Sequence, residues 1–186
     1  MATIEERMTL EAFLALPEAE PALEYEDGEV VQKVPPQGQH GWVQGVLVAL
    51  INDFASTRKM ARAIPELRTT YGGFSRVPDL AVYVWDRIPR DSRGRVANEF
   101  REPPDIAIEI VSPGQGVNSL VRRCLWYVGN GVRIALLVDP ADDSVLLFRP
   151  SQATVALHGE DRVDLDEVLP GFELHAHEIF DSLSLD

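Results

Sequence analysis

Two acidic residues stand out because each belongs to a short apolar segment of the chain. Asp79 opens the run "DLAVYV", and Glu109 lies inside "DIAIEIV". Both runs have the length and composition of buried strands. A buried carboxylate is costly unless it is paired with a cation or coordinates a metal ion. If the two strands are neighbours, the two negative charges repel each other, and a divalent cation is the usual remedy.

We therefore predict a metal site at Asp79 and Glu109. The alternative for Glu109 is a salt bridge to an arginine of the following helix. Oxygen ligands favour Mg²⁺ or Mn²⁺ over zinc. The only cysteine, Cys124, excludes a cysteine-based zinc site and is interpreted as buried packing. His175 and His177 have no third histidine or cysteine nearby, and we expect both at the surface.

The elements that must position the two acids follow from hydrophobic periodicity. Asp27-Gly28 predicts a tight hairpin turn, and Thr9 is the expected cap of a short first helix. The segment after Glu109 is predicted to be a helix capped by Asn118. A further helix is expected at residues 40–56, a strand and turn at 61–73, and buried strands at 80–85, 105–111, 132–140 and 144–150. The pattern indicates an α/β fold with a mixed β-sheet flanked by helices, preceded by an N-terminal helix and β-hairpin.

Composition narrows the class of protein. With 186 residues and 45% hydrophobic content, the chain is expected to form one domain, residues 1–186. No window approaches a membrane span, and the acidic N-terminal segment does not resemble a signal peptide, so we expect a cytoplasmic protein without a membrane partner. The net charge of −13 is unfavourable for nonspecific association with nucleic acid. A local basic surface or a bound divalent metal can nevertheless make the electrostatic potential positive at the place where nucleic acid binds.

One segment has the opposite charge to the rest of the chain. The polar connection 86–104 contains five arginines: Arg87, Arg90, Arg93, Arg95 and Arg101. We interpret it as a nucleic-acid contact that binds phosphates. The equally weighted alternative is a solvated connection or a dimer contact.

The order of several short motifs resembles the Uma2 family of bacterial endonucleases. The motifs are "YEDGEVV", a "PP" loop, His40 heading a helix, "PD" at 78–79, "EIVSP" at 109–113, a helix ending in Tyr127, and "LLVDP". This resemblance implies a PD-(D/E)XK, or restriction-endonuclease-like, core. It also implies Mg²⁺-dependent hydrolysis of nucleic-acid phosphodiesters, with DNA as the expected substrate. A homodimer remains open.

The resemblance also assigns roles to residues. Asp79 corresponds to the motif's aspartate and Glu109 to its second acid. The lysine of the general motif is replaced by Val111, and the helical lysine of Uma2-like sequences corresponds to Arg123, or to Arg122 if the register differs by one. Arg123 keeps the positive charge and would stabilise the developing negative charge on the phosphate.

Neither Lys33 nor Lys59 is predicted to reach the site. Glu66, Glu29 and His40 are weaker candidates for additional metal or water contacts. Because this chain lacks the lysine of the motif, two interpretations remain: a metal-dependent endonuclease, or a catalytically impaired nuclease-fold protein that acts as a dimeric binding module.

Overall fold

The computed structural model describes residues 7–185, so the first six residues and the last one of the predicted 1–186 domain lie outside the described residues. The helices are α1 (Leu10–Leu14), α2 (Gly38–Ala55), α3 (Val117–Gly129) and α4 (Ala176–Phe180). The strands are β1 (Leu23–Glu26), β2 (Glu29–Gln32), β3 (Ala61–Pro65), β4 (Thr69–Tyr71), β5 (Phe74–Arg76), β6 (Leu80–Val84), β7 (Ile106–Ile110), β8 (Ile134–Asp139), β9 (Ser144–Phe148) and β10 (Val155–His158). Within residues 7–185, no helix has the length and apolarity needed to cross a membrane.

The larger sheet has the strand order β10-β9-β8-β7-β6-β3. Strands β7 and β8 are parallel and are joined through α3. All other neighbouring strands of this sheet pair antiparallel. A parallel pair needs a crossover connection, and α3 supplies it. The predicted α/β class with a mixed sheet flanked by helices is therefore confirmed.

Helices cover both faces of this sheet because its central strands are apolar on both sides. Along β7, Ile106, Ile108 and Ile110 join the core under α2. Ala107 joins the core under α3, which includes Cys124 at zero exposure. Glu109 shares the α3 face with Ala107 because side chains alternate along a strand. The predicted burial of Cys124 is confirmed.

The smaller sheet has the order β2-β1-β5-β4 and is a feature that the sequence pattern did not reveal. The predicted hairpin at Asp27-Gly28 joins β1 to β2, with Glu26 opposite Glu29. A second hairpin, β4–β5, pairs with β1 through Ser75 and Tyr25. The sequence predicted the β1–β2 hairpin but not its pairing with β5, and β4 and β5 have only three residues each.

The ends of the helices test two predicted caps. Thr9 caps α1, since its side chain accepts a hydrogen bond from the Ala12 N–H at 3.1 Å. The prediction for Asn118 is wrong, because α3 begins at Val117 and its cap position is Gly116. Asn118 therefore lies inside the first turn.

Candidate active site

Asp79 and Glu109 lie side by side at one end of the large sheet. Leu80 pairs with Ile108 across β6 and β7, which brings Asp79 level with Glu109. The backbone N–H of Ile110 donates a hydrogen bond to Asp79 Oδ2 at 2.6 Å. The two acids are only 2% and 3% exposed. Each therefore requires compensation for its burial.

Asp79 receives that compensation from two cationic or titratable groups. Its Oδ1 lies 2.7 Å from Lys33 Nζ and 3.3 Å from His40 Nε2. Burial opposes ionisation, but the contact with His40 and the charge of Lys33 outweigh it and hold the pKa of Asp79 below its usual value. The Asp79 side chain also lines the cavity described below, so its carboxylate can be reached by a ligand that enters there.

Lys33 is the residue whose role the sequence did not predict. It directly follows β2, and besides Asp79 it contacts Glu66, with 2.5 Å between Nζ and Oε2. Burial lowers the pKa of Lys33, but the negative charges of Asp79 and Glu109 outweigh this effect, so the pKa is raised above its usual value. The prediction that neither lysine reaches the site is wrong for Lys33. The hairpin that carries Lys33 was predicted, but its position beside Asp79 was not.

His40 and Glu66 lie close to Asp79 as well. Ligand atoms of the three residues lie within 4.8 Å of one another, so the group could hold a metal ion. His40 stands near the start of α2, and its Nδ1 lies 2.9 Å from Ser112 Oγ. Gln44 donates to Glu66 Oε1 at 2.8 Å and to the Asp79 carbonyl at 2.9 Å. Helix α2 therefore orients this side of the site.

Glu109 belongs to a second buried group, formed with α3. Its Oε1 lies 2.8 Å from Arg123 Nε and accepts a hydrogen bond from the Tyr127 hydroxyl at 2.6 Å. Arg123 also pairs with Glu24, which accepts the Val77 N–H at 2.6 Å. Burial raises the pKa of Glu109 to about 7, against the lowering effect of Arg123. The alternative considered for Glu109, a salt bridge to the following helix, is thus present.

Both groups open on one cavity of about 530 Å³ between the small sheet, the end of the large sheet and α3. Its walls include four acids, four cationic residues and one histidine: Glu24, Glu26, Asp79, Glu109, Lys33, Arg76, Arg122, Arg123 and His40. Aromatic side chains Phe74 and Trp126 complete one wall. A polyanionic ligand could meet cations here, while the acids could hold a divalent ion.

Comparison with known proteins identifies the family of the chain. A family model described as "Uma2: Putative restriction endonuclease" matches residues 10–177. The chain belongs to the Uma2 family. A crystal structure described as "a putative nuclease belonging to DUF820", from Anabaena variabilis ATCC 29413, is 38% identical and covers 95% of this chain and 99% of its own. Its TM-score against this chain is 0.91. No curated protein matches.

The five arginines of the polar connection 86–104 lie outside the cavity. The loop leaves β6 and enters β7 at the end opposite to Asp79, about 17 Å away at ~3.3 Å per strand residue. Asp105, just before β7, pairs with Arg87 at 2.7 Å. Arg95 pairs with Asp91 at 3.2 Å, and Arg101 with Glu99 at 2.9 Å. Nucleic-acid binding by Arg87, Arg90, Arg93, Arg95 and Arg101 stays a prediction, and none of the five lines the cavity.

Of the three weaker candidates, two lie at the candidate site and one does not. His40 and Glu66 lie beside Asp79. Glu29 is exposed on β2 and does not line the cavity. The order "PD … E" in the sequence identified the two acids. Glu24 lies in β1 and Lys33 directly follows β2, and both strands are short. The sequence shows these two residues only as charged residues at the ends of a predicted hairpin.

Proposed function

We propose that this Uma2 protein is a metal-dependent endonuclease that hydrolyses DNA phosphodiester bonds in the cavity. The observation that carries the proposal is the convergence of Asp79, Glu109 and Lys33, all nearly buried, on one open cavity. Burying three charges together has no evident structural benefit, because an apolar replacement of buried ion pairs is often at least as stable. Family membership supports a nuclease and leaves the ion and the substrate to be tested.

The residues fit a divalent ion. Ligand atoms of Asp79, Glu66 and His40 lie within 4.8 Å of one another. We assign Asp79 and Glu109 as the principal ligands, with Glu66 or His40 available to complete the shell. The carboxylate oxygens suit Mg²⁺ or Mn²⁺. When bound, such an ion would neutralise the scissile phosphate and acidify a water molecule.

Lys33 takes the role that the sequence analysis gave to Arg123. Its ammonium group contacts Asp79 and lines the cavity, so it can donate to a phosphate oxygen or to the attacking water. An ammonium is a compact charge with three rotatable donors and adapts to a changing oxygen position. Preorganised donors of this kind stabilise the charge that develops in the transition state.

Arg123 is better assigned as a positioning residue. Its guanidinium is held between Glu24 and Glu109 and also donates from Nε to the Tyr127 hydroxyl at 3.0 Å. With these partners it orients the Glu109 carboxylate. The presence of Lys33 removes the main argument for a catalytically impaired protein.

The proposal is tested by incubating the purified protein with single-stranded and plasmid DNA in Mg²⁺, Mn²⁺ or EDTA. Cleavage should require the metal and should be lost in Glu109→Ala. The matched control is Asp53→Ala, because Asp53 is an exposed acid of α2 outside the cavity. Ca²⁺ should raise the melting temperature of the wild type by linkage. A protein that neither cleaves DNA nor gains stability with Ca²⁺ or Mn²⁺ would instead be the noncatalytic binding module.

A further inference from the structure

Arg76, the last residue of β5, is a buried cation on the wall of the same cavity. Its side chain is only 6% exposed. Its guanidinium carbon lies 4.2 Å from the centroid of the Trp126 ring and 4.9 Å from that of Phe74. Aromatic faces attract a guanidinium and stack with its plane. Arg76 is therefore a charge held in one place and differs in this respect from a mobile surface arginine.

Part of the hydrogen-bonding capacity of Arg76 is unused. Nε is paired with Glu26 Oε1 at 3.0 Å, and this acid is 33% exposed. Nη1 is buried and forms no hydrogen bond within residues 7–185. An arginine side chain has five N–H donors, and buried donors without acceptors are rare in native proteins. The buried Nη1 group therefore indicates that Arg76 binds an acceptor that the chain itself does not supply.

Arg76 is also distinct from the proposed catalytic group. Tyr127 separates the two, since its ring centroid is 5.6 Å from the Arg76 guanidinium carbon and its hydroxyl donates to Glu109. Within the described part of the chain, Glu26 is the acid that pairs with Arg76. Arg122, an exposed residue of α3, lines the cavity too. The cavity thus carries a second cationic position beyond the acids.

We propose that Arg76, assisted by Arg122, binds a second phosphate of the substrate strand, next to the bond that is cleaved. This inference rests on the proposed function, because the cleaved phosphate is assigned to Asp79, Glu109 and Lys33. A guanidinium binds phosphate through two parallel hydrogen bonds. Contacts of this kind fix the register of a nucleic acid without reading its sequence. The subsite therefore favours a strand with flanking phosphates over an isolated phosphodiester.

The test compares two thymidine ligands in Ca²⁺: the dinucleotide TpT, and the same dinucleotide phosphorylated at both ends. We expect the wild type to bind the doubly phosphorylated ligand at least about tenfold more tightly, as one charge-assisted contact allows. Arg76→Met should reduce that preference to less than about threefold. Arg122→Met should reduce it partly, and this exposed position tests the subsite even if Arg76→Met does not fold. The matched control is Arg62→Met, an exposed arginine of β3, which should keep the full preference.

Cleavage of bis(p-nitrophenyl) phosphate separates the subsite from the chemistry, because this substrate has a single phosphate. Arg76→Met should lower the rate of DNA cleavage in Mn²⁺ by a larger factor than it lowers the rate on bis(p-nitrophenyl) phosphate. A full preference for the phosphorylated ligand in both Arg76→Met and Arg122→Met would overturn the subsite, as would a wild type without any preference. A wild type that shows the preference but cleaves neither DNA nor bis(p-nitrophenyl) phosphate would retain the subsite and refute the proposed function.

Discussion

The cavity and the arginine-rich loop concentrate charge in opposite ways. The loop 86–104 has five arginines close together in sequence. Arg95 and Arg101 pair with acids at the surface, and Arg87 is a half-buried arginine that pairs with the buried Asp105. In the cavity, four charged residues from separate parts of the chain are largely buried together: Lys33, Asp79, Glu109 and Arg123. Surface ion pairs contribute little, whereas buried charges interact strongly. The density of charge in the folded structure therefore identifies the site better than its density in the sequence.

The largest expected effect is on stability, at Arg123. Removing one partner of a buried ion pair leaves the other charge uncompensated and costs about 3–5 kcal/mol. Arg123→Met should reduce the free energy of unfolding by this amount in urea, since Glu24 and Glu109 both lose their cation. Arg122→Met, at the neighbouring exposed position, should change it by less than about 0.5 kcal/mol. Equal losses in the two variants would mean that the cavity charges are not coupled as described.

The next effect is on catalysis, at Lys33. Loss of one preorganised donor typically reduces turnover by about 10²–10³-fold. Lys33→Met should show this loss at saturating Mn²⁺, while Lys59→Met, at the chain's other lysine, should retain wild-type turnover. Residual activity of Lys33→Met above about half of the wild-type value would remove Lys33 from the catalytic group.

A smaller effect concerns the pH dependence of metal-free stability. The pKa of Glu109 is raised to about 7, mainly by burial, above its ordinary value of 4.5. The folded state then binds more protons than the unfolded state between these values, so the contribution of Glu109 to stability is lost as pH rises through that window. In EDTA, the unfolding free energy of the wild type should fall relative to that of Glu109→Gln between pH 4.5 and pH 7. A pH-independent difference between the two would show that the pKa of Glu109 is not raised.

The smallest expected effect on turnover is in the loop. Because Arg90, Arg93 and Arg95 lie at the far end of the sheet, their joint replacement by Ala should leave turnover within about twofold. If the loop binds distant phosphates, the salt dependence of DNA binding should become less steep. Filter binding between 50 and 200 mM salt, the range over which such contacts respond strongly, measures this. An unchanged slope would assign phosphate contact to other residues.

The sequence predicts the central strands β6 to β9 of the large sheet because they are apolar runs. It predicts Asp79 and Glu109 because they are charged residues at the start of and within such runs. In the small sheet only the β1–β2 hairpin could be predicted, from its turn. The strands of this sheet are three or four residues long, and tertiary packing rather than local pattern holds them together. Lys33, Glu24 and Arg76 all lie in or next to this sheet. The missing part of the candidate site is therefore the part built by long-range contacts.

The most direct test of the catalytic cavity is the single-turnover rate of DNA cleavage in Mn²⁺. It should be measured in parallel for the wild type, Asp79→Asn and the triple variant Arg90→Ala, Arg93→Ala, Arg95→Ala. Asp79→Asn keeps the size of the side chain and removes the charge that faces Lys33 and His40. We predict a rate at least about 10²-fold lower for Asp79→Asn and a rate close to the wild-type value for the triple variant. Wild-type cleavage by Asp79→Asn would contradict the assignment of this cavity as the active site.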